Sequence, residues 1–250
     1  MDTLDTIKLV ADLHVHTVAS GHAYSTVNEI IAAAAQKGLK VIAFTDHGPA
    51  MPGGAHRYHF GNLLVLPEEE KGVEILRGVE ANIIDREGEI DLPEETLSRL
   101  DLVWAGLHTP CLQPASRKFN TEAMLNALKN PYVDGIVHPG NPDFPIEAET
   151  VVRAVAEKGK LLEINNSSFI TISRRGSKAT CLEIAKLIRR YGALAAINSD
   201  AHIAKDVGSF DLALEIAREA GLGPEQIINT DRKILHEFLR KRGKKRFLQA

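Results

Sequence analysis

The chain has 250 residues, 44% of them hydrophobic and 25% charged, with a formal net charge of −3. That composition suits a soluble globular protein and excludes a disordered, collagen-like or coiled-coil chain. It also argues against a bulk-electrostatic nucleic-acid binder. A chain this long buries roughly three quarters of its unfolded surface and needs no metal merely to fold, so any metal site in it points to chemistry.

The two cysteines, Cys111 and Cys181, form no CxxC pair and read as reduced thiols. The first residues carry acids where a signal peptide carries bases. No apolar run approaches the roughly eighteen residues of a membrane span. These features predict a cytoplasmic protein with no membrane partner.

Seven short apolar runs recur along the chain. They are KLVADLHVH (8–16), KVIAFTDH (40–47), VEILRGVEAN (73–82), LDLVWAGLH (100–108), DGIVHPGNP (134–142), KLLEINNSS (160–168) and LAAINSDAH (194–202). Each is continuously apolar and ends in turn-forming or polar residues, as a buried parallel strand does. Between them lie helical patterns at 25–38, 120–130, 147–159, 178–192 and 210–221, and a last one at 232–243. The spacing of roughly thirty residues is that of a βα unit. No Pro/Ser-rich linker divides the chain, so one domain is predicted over 1–250. The expected fold is α/β, a single distorted (β/α)7 TIM-like barrel. An open doubly wound sheet would want a glycine-rich loop after the first strand, where DLHVHT stands instead.

The polar residues at the ends of these runs carry the functional signal: His14, His16, His47, Glu80, His108, His138, Asp200 and His202. Barrel enzymes build their sites at the C-terminal ends of the strands, so these groups would converge on one mouth. Their types are those that ligate zinc, manganese and iron. His14 and His16 lie two apart, so on a strand both imidazoles face the same way. Asp200 and His202 repeat the spacing. Glu80, at the end of a buried strand, needs a cation or a metal. Glu163 also ends a run but is assigned no role. His22 alone reads as a surface loop residue.

In the remaining loops, Arg174 and Arg175 are candidate phosphate clamps. Asn165 and Asn166 are candidates for contacting substrate or orienting ligands. Asp12 and Asp46 precede metal-type histidines and are expected to orient them. His56 and His59 sit in a long loop that reads as a lid or an oligomer contact. The basic run KRGKKRF (241–247) is expected to be solvated rather than to bind nucleic acid.

Four motifs in order, D-L-H-V-H (12–16), T-D-H (45–47), G-x-E (78–80) with His138, and S-D-A-H (199–202), resemble those of the PHP (polymerase and histidinol phosphatase) domain family. HTVASGHAYST, AFTDHGP, LRGVEANI, HPGNP and EINNSSF are similar to its stand-alone, YcdX-like phosphatase branch. The resemblance runs from about residue 9 to 243. It implies a trinuclear site, with His14, His16, Glu80 and Asp200 on a first ion and Glu80 bridging to a second held by His108 and His138. His22, His47 and His202 would hold a third. Zinc is the first expectation, followed by manganese and iron.

Three divalent ions against two carboxylates make a site for an anion. The expected reaction is phosphomonoester hydrolysis by in-line attack of metal-bound hydroxide, with Asp200, His202 and Glu80 in the catalytic set. The expected partner is a small phosphorylated substrate, and the resemblance points to a homotrimer. A phosphodiesterase or exonuclease is the competing reading of the same residues, but it would want stacking aromatics, which make up only 5% here. A histidinol-phosphate phosphatase and a non-enzymatic metal-binding barrel are compatible with the same strand ends. An amidohydrolase-type barrel also opens with an H-x-H strand, but it typically uses a carbamylated lysine at a middle strand end, and no lysine ends any of the seven runs here.

Overall fold

The computed structural model describes residues 7–248, so the acidic residues 1–6 lie outside it. Seven parallel strands occur where the apolar runs predict them. They are β1 (Ala11–Val15), β2 (Val41–Phe44), β4 (Val73–Asn82), β5 (Leu102–Gly106), β6 (Gly135–Ile136), β7 (Leu161–Asn165) and β8 (Leu194–Asn198). They pair in that order, and the two-residue β3 (Glu69–Glu70) adds antiparallel to β4.

The sheet curls until β1 meets β8. At the C-terminal end the backbone closes the gap, with Asp200 N–H donating to His14 C=O and His16 N–H to Ala201 C=O, both at 2.9 Å. Lower down, asparagine side chains replace the ladder. Asn198 Oδ1 accepts from Leu13 N–H at 3.1 Å, and Asn229 bonds both Ala11 and Ile197. The fold is therefore a distorted (β/α)7 TIM-like barrel.

The helices are α1 (Val27–Gln36), α2 (Arg57–Asn62), α3 (Glu94–Leu97), α4 (Arg117–Ala127), α5 (Ala148–Lys158), α6 (Ser177–Tyr191), α7 (Asp211–Ala220) and α8 (Arg232–Lys241). Thr26 and Glu29 form a capping box that starts α1. The short α2 and α3 escape the helical periodicity, which needs several turns to register. No helix among the described residues is long and apolar enough to cross a membrane.

Two apolar clusters result. One fills the space between the strands and the surrounding helices. The other fills the barrel with Leu13, Leu76, Leu102, Trp104 and Leu161, and continues into Leu235, Phe238 and Leu239 of α8. Trp104 donates its indole N–H to Leu13 C=O at 2.7 Å. Gly135 lets β6 pass the indole, because a Cβ there would overlap the ring.

The basic run at 241–247 is not a solvated tail. Buried carboxylates stand at the starts of β4, β5 and β6: Glu74, Asp101 and Asp134. Arg246 reaches Glu74 at 3.2 Å and Asp101 at 3.4 Å. Arg242 and Lys244 both pair with Asp134. A carboxylate in a barrel floor is costly without a cation, and the run supplies these. With α8 it plugs the end of the barrel opposite the predicted site.

Candidate metal centre

The strand ends bring the predicted ligand types together. His14 Nε2 lies 3.0 Å from His16 Nε2. His16 Nε2 is 3.1 Å from Asp200 Oδ1 and 3.4 Å from Glu80 Oε2. His138 and His108 approach Glu80 Oε1 at 2.7 and 3.0 Å. His47 Nδ1 is 2.8 Å from Glu80 Oε2. Ring centroids place His22 5.0 Å from His47 and 4.9 Å from His202. Three sets have ligand atoms within 4.8 Å of one another: His14, His16 and Asp200; His47, Glu80 and His108; and His16, His47 and His202.

The backbone is bent to make this cluster. The β1–β2 register slips between Asp12 and Val15, at the H-x-H pair itself. His138 and Asp200 have φ of 32° and 54°, in the left-handed region. Such conformations cost about 1–3 kcal/mol each in non-glycine residues and persist where surrounding structure enforces them. In the loop carrying His22, Gly21 (φ 79°) packs on Gly53 so tightly that a Cβ would overlap the Gly53 carbonyl.

Neighbouring groups settle the tautomers of His14 and His16. Glu163 Oε1 accepts from His14 Nδ1 at 2.7 Å, which leaves Nε2 facing the centre. Ser20 Oγ donates to Asp46 Oδ1 at 2.7 Å and so accepts from His16 Nδ1 at 2.9 Å. The His16 Nε2 lone pair therefore faces the carboxylate oxygens of Asp200 and Glu80 with no proton between them. Glu80 Oε2, Asp200 Oδ1 and His47 Nδ1 are buried and have no hydrogen-bond partner. Buried acceptors pointed at one another repel, and a multivalent cation among them removes the conflict. Two nitrogens held about 2.0–2.1 Å from one tetrahedral ion stand about 3.4 Å apart, close to the separations here. The residues present fit a metal centre.

Electrostatics agree. Burial, and then His47 and His202, hold His16 well below the usual imidazole range. Burial and Arg174 push His138 down to about 4. Burial opposes ionisation of Glu80 and Asp200, yet the surrounding histidines, joined by Arg174 at Asp200, hold both well below the carboxylate range. Neutral imidazole and ionised carboxylate are the ligating forms. Burial also opposes charging His14, but Glu163, Asp200 and Glu80 outweigh it and raise its pKa well above the ordinary value. The field that retains that proton attracts any cation.

The cluster forms the floor of a cavity of about 630 Å³. Met51, Pro52, Leu107 and Pro110 line one part of it, and Ser167, Thr171, Ser173 and Arg174 line another. Arg174 Nη1 donates to Asp200 Oδ2 at 2.7 Å and to Asn165 Oδ1 at 3.3 Å. Asn165 Nδ2 donates to Asp200 and Glu163, so Asn165 orients carboxylates at the cluster.

Two candidates are not brought to the cavity. Arg175 is exposed and contributes nothing to its lining. Asn166 turns to α7, where its Oδ1 accepts from Ala213 N–H at 3.1 Å. Consecutive loop residues diverge, so only one of each pair faces the centre. Asp46 supports the centre through Ser20, as expected of it. Asp12 instead accepts from Ser199 and Gly208, fixing the loop after β8 rather than a histidine. His56 caps α2, while His59 reaches Asp46.

Glu163 is the functional residue that sequence reasoning missed. It is buried and accepts from His14, His138 N–H, Asn165 and Asn198. The signal was present: the argument that a strand-end carboxylate needs a partner applies to Glu163 as it does to Glu80.

The PHP domain family model matches residues 12–138, the stretch from the H-x-H strand to His138. A probable phosphatase of Thermoanaerobacter sp. (strain X514) is 52% identical over 240 residues, covering 96% of this chain and 98% of that protein.

The chain belongs to the PHP domain family.

A second relative of this PHP chain, a probable phosphatase of Acetivibrio thermocellus, is 50% identical over 236 residues, or 94% of this chain and 97% of the relative. Among solved structures, histidinol phosphate phosphatase from Lactococcus lactis subsp. lactis Il1403, complexed with zinc, L-histidinol and phosphate, superposes with a TM-score of 0.62. It is 22% identical, and the match covers 84% of this chain and 93% of that one, a likeness of fold.

Proposed function

We propose that this PHP protein is a metal-dependent phosphatase acting on small phosphomonoesters at a centre of three divalent ions. The observation that carries this reading is the set of unpartnered, buried polar atoms on Glu80, Asp200 and His47 at the floor of a cavity of small-molecule size. His14, His16, Glu80 and Asp200 would hold one ion, and Glu80, His108 and His138 a second. His22, His47 and His202 would hold a third. Zinc suits the histidine-rich donor set, and manganese and iron suit it too. Such ions supply positive charge to phosphoryl oxygens and a nucleophile at neutral pH.

The chain supplies the rest. Glu163 and Ser20 fix the tautomers of the H-x-H pair. Arg174, at the cavity wall, offers planar donors to the phosphoryl group. Asp200, between Arg174 and the histidines, holds that guanidinium in place. The buried floor excludes bulk water, which strengthens each of these interactions.

Among the described residues no Phe, Tyr or Trp lines the cavity, so a nucleobase would meet no stacking ring besides the clustered histidines. That favours a small monoester over a polynucleotide. The test is metal content by plasma mass spectrometry with phosphate release measured on the same sample before and after chelation. The substrate panel would include sugar phosphates, nucleotides, histidinol phosphate and a diester. About three ions per chain and chelator-sensitive monoester turnover are expected, and His14→Ala should lose metal and activity together. Full activity in that variant would overturn the assignment.

A further inference from the structure

The segment between β2 and β3 touches the site twice. Its first part contributes Met51 and Pro52 to the cavity wall. Its second part is α2, whose His59 turns inward. Its Nε2 lies 3.2 Å from Asp46 Oδ2, and its side chain is 26% exposed. We propose that His59 is a positioning residue for the metal centre, acting on His16 through Asp46 and Ser20. This rests on the metal-centre reading above.

Beyond the partly exposed His59, each link is a hydrogen bond between buried groups. Asp46 is 1% exposed. It accepts from Ser20 Oγ at 2.7 Å, from Thr17 N–H at 2.7 Å and from Thr17 Oγ1 at 2.8 Å. Ser20 Oγ in turn accepts from His16 Nδ1 at 2.9 Å and from His47 N–H at 3.1 Å. Thr17 and Ser20 reach the carboxylate from the loop after β1, and His59 reaches it from α2. The Ser20 hydroxyl has a single proton. While that proton goes to Asp46, its oxygen is free to accept from His16, and His16 Nε2 stays unprotonated.

Removing His59 leaves Asp46 Oδ2 without the imidazole that packs against it, and the arrangement of donors around the carboxylate relaxes. Once Ser20 rotates, His16 can move its proton to Nε2, the atom facing Asp200 and Glu80. A protonated Nε2 cannot ligate.

The experiment measures Mn²⁺ and Zn²⁺ binding by competition with a chromophoric chelator, and the Co²⁺ ligand-field spectrum, for the wild type, His59→Ala and His59→Gln. Outer partners of ligating histidines typically change metal affinity about 10–100-fold, and His59→Ala should weaken at least one ion by that factor and alter the Co²⁺ spectrum. His59→Gln, which keeps a polar side chain of similar reach, should recover most of the affinity. On a phosphomonoester kcat should fall more than KM.

Ser20→Ala should weaken the same ion, and its effect should not add to that of His59→Ala, because both cut one path. Thermal melts of the metal-free proteins separate out a merely structural role, which would lower Tm and leave affinity intact. Wild-type affinity in His59→Ala, or additive effects with Ser20→Ala, would overturn the proposal while leaving the metal centre standing. Failure of the wild type to take up ions would overturn both.

Discussion

Replacing Glu163 with glutamine changes no volume but tests the centre severely. The carboxylate accepts four hydrogen bonds: His14 Nδ1 at 2.7 Å and Asn198 Nδ2 at 2.9 Å on Oε1, and His138 N–H at 2.8 Å and Asn165 Nδ2 at 3.0 Å on Oε2. Glutamine has one acceptor oxygen, so its amide nitrogen must face one of these donor pairs. Asn198 cannot flip, because its Oδ1 accepts from Leu13 and Asn229. Asn165 cannot flip, because its Oδ1 accepts from Ser168 N–H and Arg174. The His138 donor is backbone.

Only His14 can adapt, by moving its proton to Nε2 and accepting at Nδ1. That tautomer relieves one clash and leaves one buried donor unpaired, costing about 1–3 kcal/mol of stability. For a protein of this size the melting temperature should fall by roughly 2–12 °C. The same tautomer places a proton on the nitrogen proposed to bind metal. Affinity for the first ion should therefore fall at least about 10–100-fold, or about 1.4–2.7 kcal/mol. Chelator competition measures the affinity, near-ultraviolet circular dichroism confirms the fold, and phosphate release should fall with ion occupancy. A Glu163→Gln protein that folds and binds its ions as the wild type does would refute the tautomer argument.

Two further predictions concern the far end of the barrel. Arg246→Ala takes a cation from Asp101 and one of several partners from Glu74, which keeps Arg232 and His236, so it should cost about 1–3 kcal/mol, readable as a lower urea midpoint with turnover at saturating substrate unchanged. Lys160 is buried and donates to the carbonyls of Leu128 and Asn130, both at 2.7 Å. Burial, with Arg242 nearby, brings its pKa from 10.5 to about 7. Between those values the unfolded chain binds the extra proton, so this residue makes stability rise from about pH 7 towards 10.5. A neutral amine still donates to both carbonyls. Denaturant titrations at pH 7 and pH 9 should show a gain in the wild type that is smaller in Lys160→Met, and an equal gain in both would count against it.

The barrel, and the convergence of polar strand ends at its mouth, were legible because both are written as periodic, local signals. A buried parallel strand is a continuous apolar run, and the polar residue that ends it lies at the mouth by topology alone. This is why His14, His16, His47, Glu80, His108, His138, Asp200 and His202 could be named before any coordinates. His22 needed the family resemblance, because a loop residue gains its position from a contact such as Gly21 on Gly53, which no periodicity encodes.

What was misread depends on partners distant in sequence. The cations at 241–247 read as solvated until Asp134, Asp101 and Glu74 are seen beneath them. Arg174 and Arg175, or Asn165 and Asn166, are indistinguishable in sequence, and the turn of the backbone sends one of each pair inward. Glu163 was the avoidable omission. A buried carboxylate demands compensation wherever it lies, and applied evenly that rule would have placed Glu163 beside a strand-end histidine. The demand extends to Asp46, to which Thr17 and Ser20 donate and which His59 meets from a helix too short to announce itself. Evenly applied charge accounting therefore reaches one shell further into such a site than motif matching does.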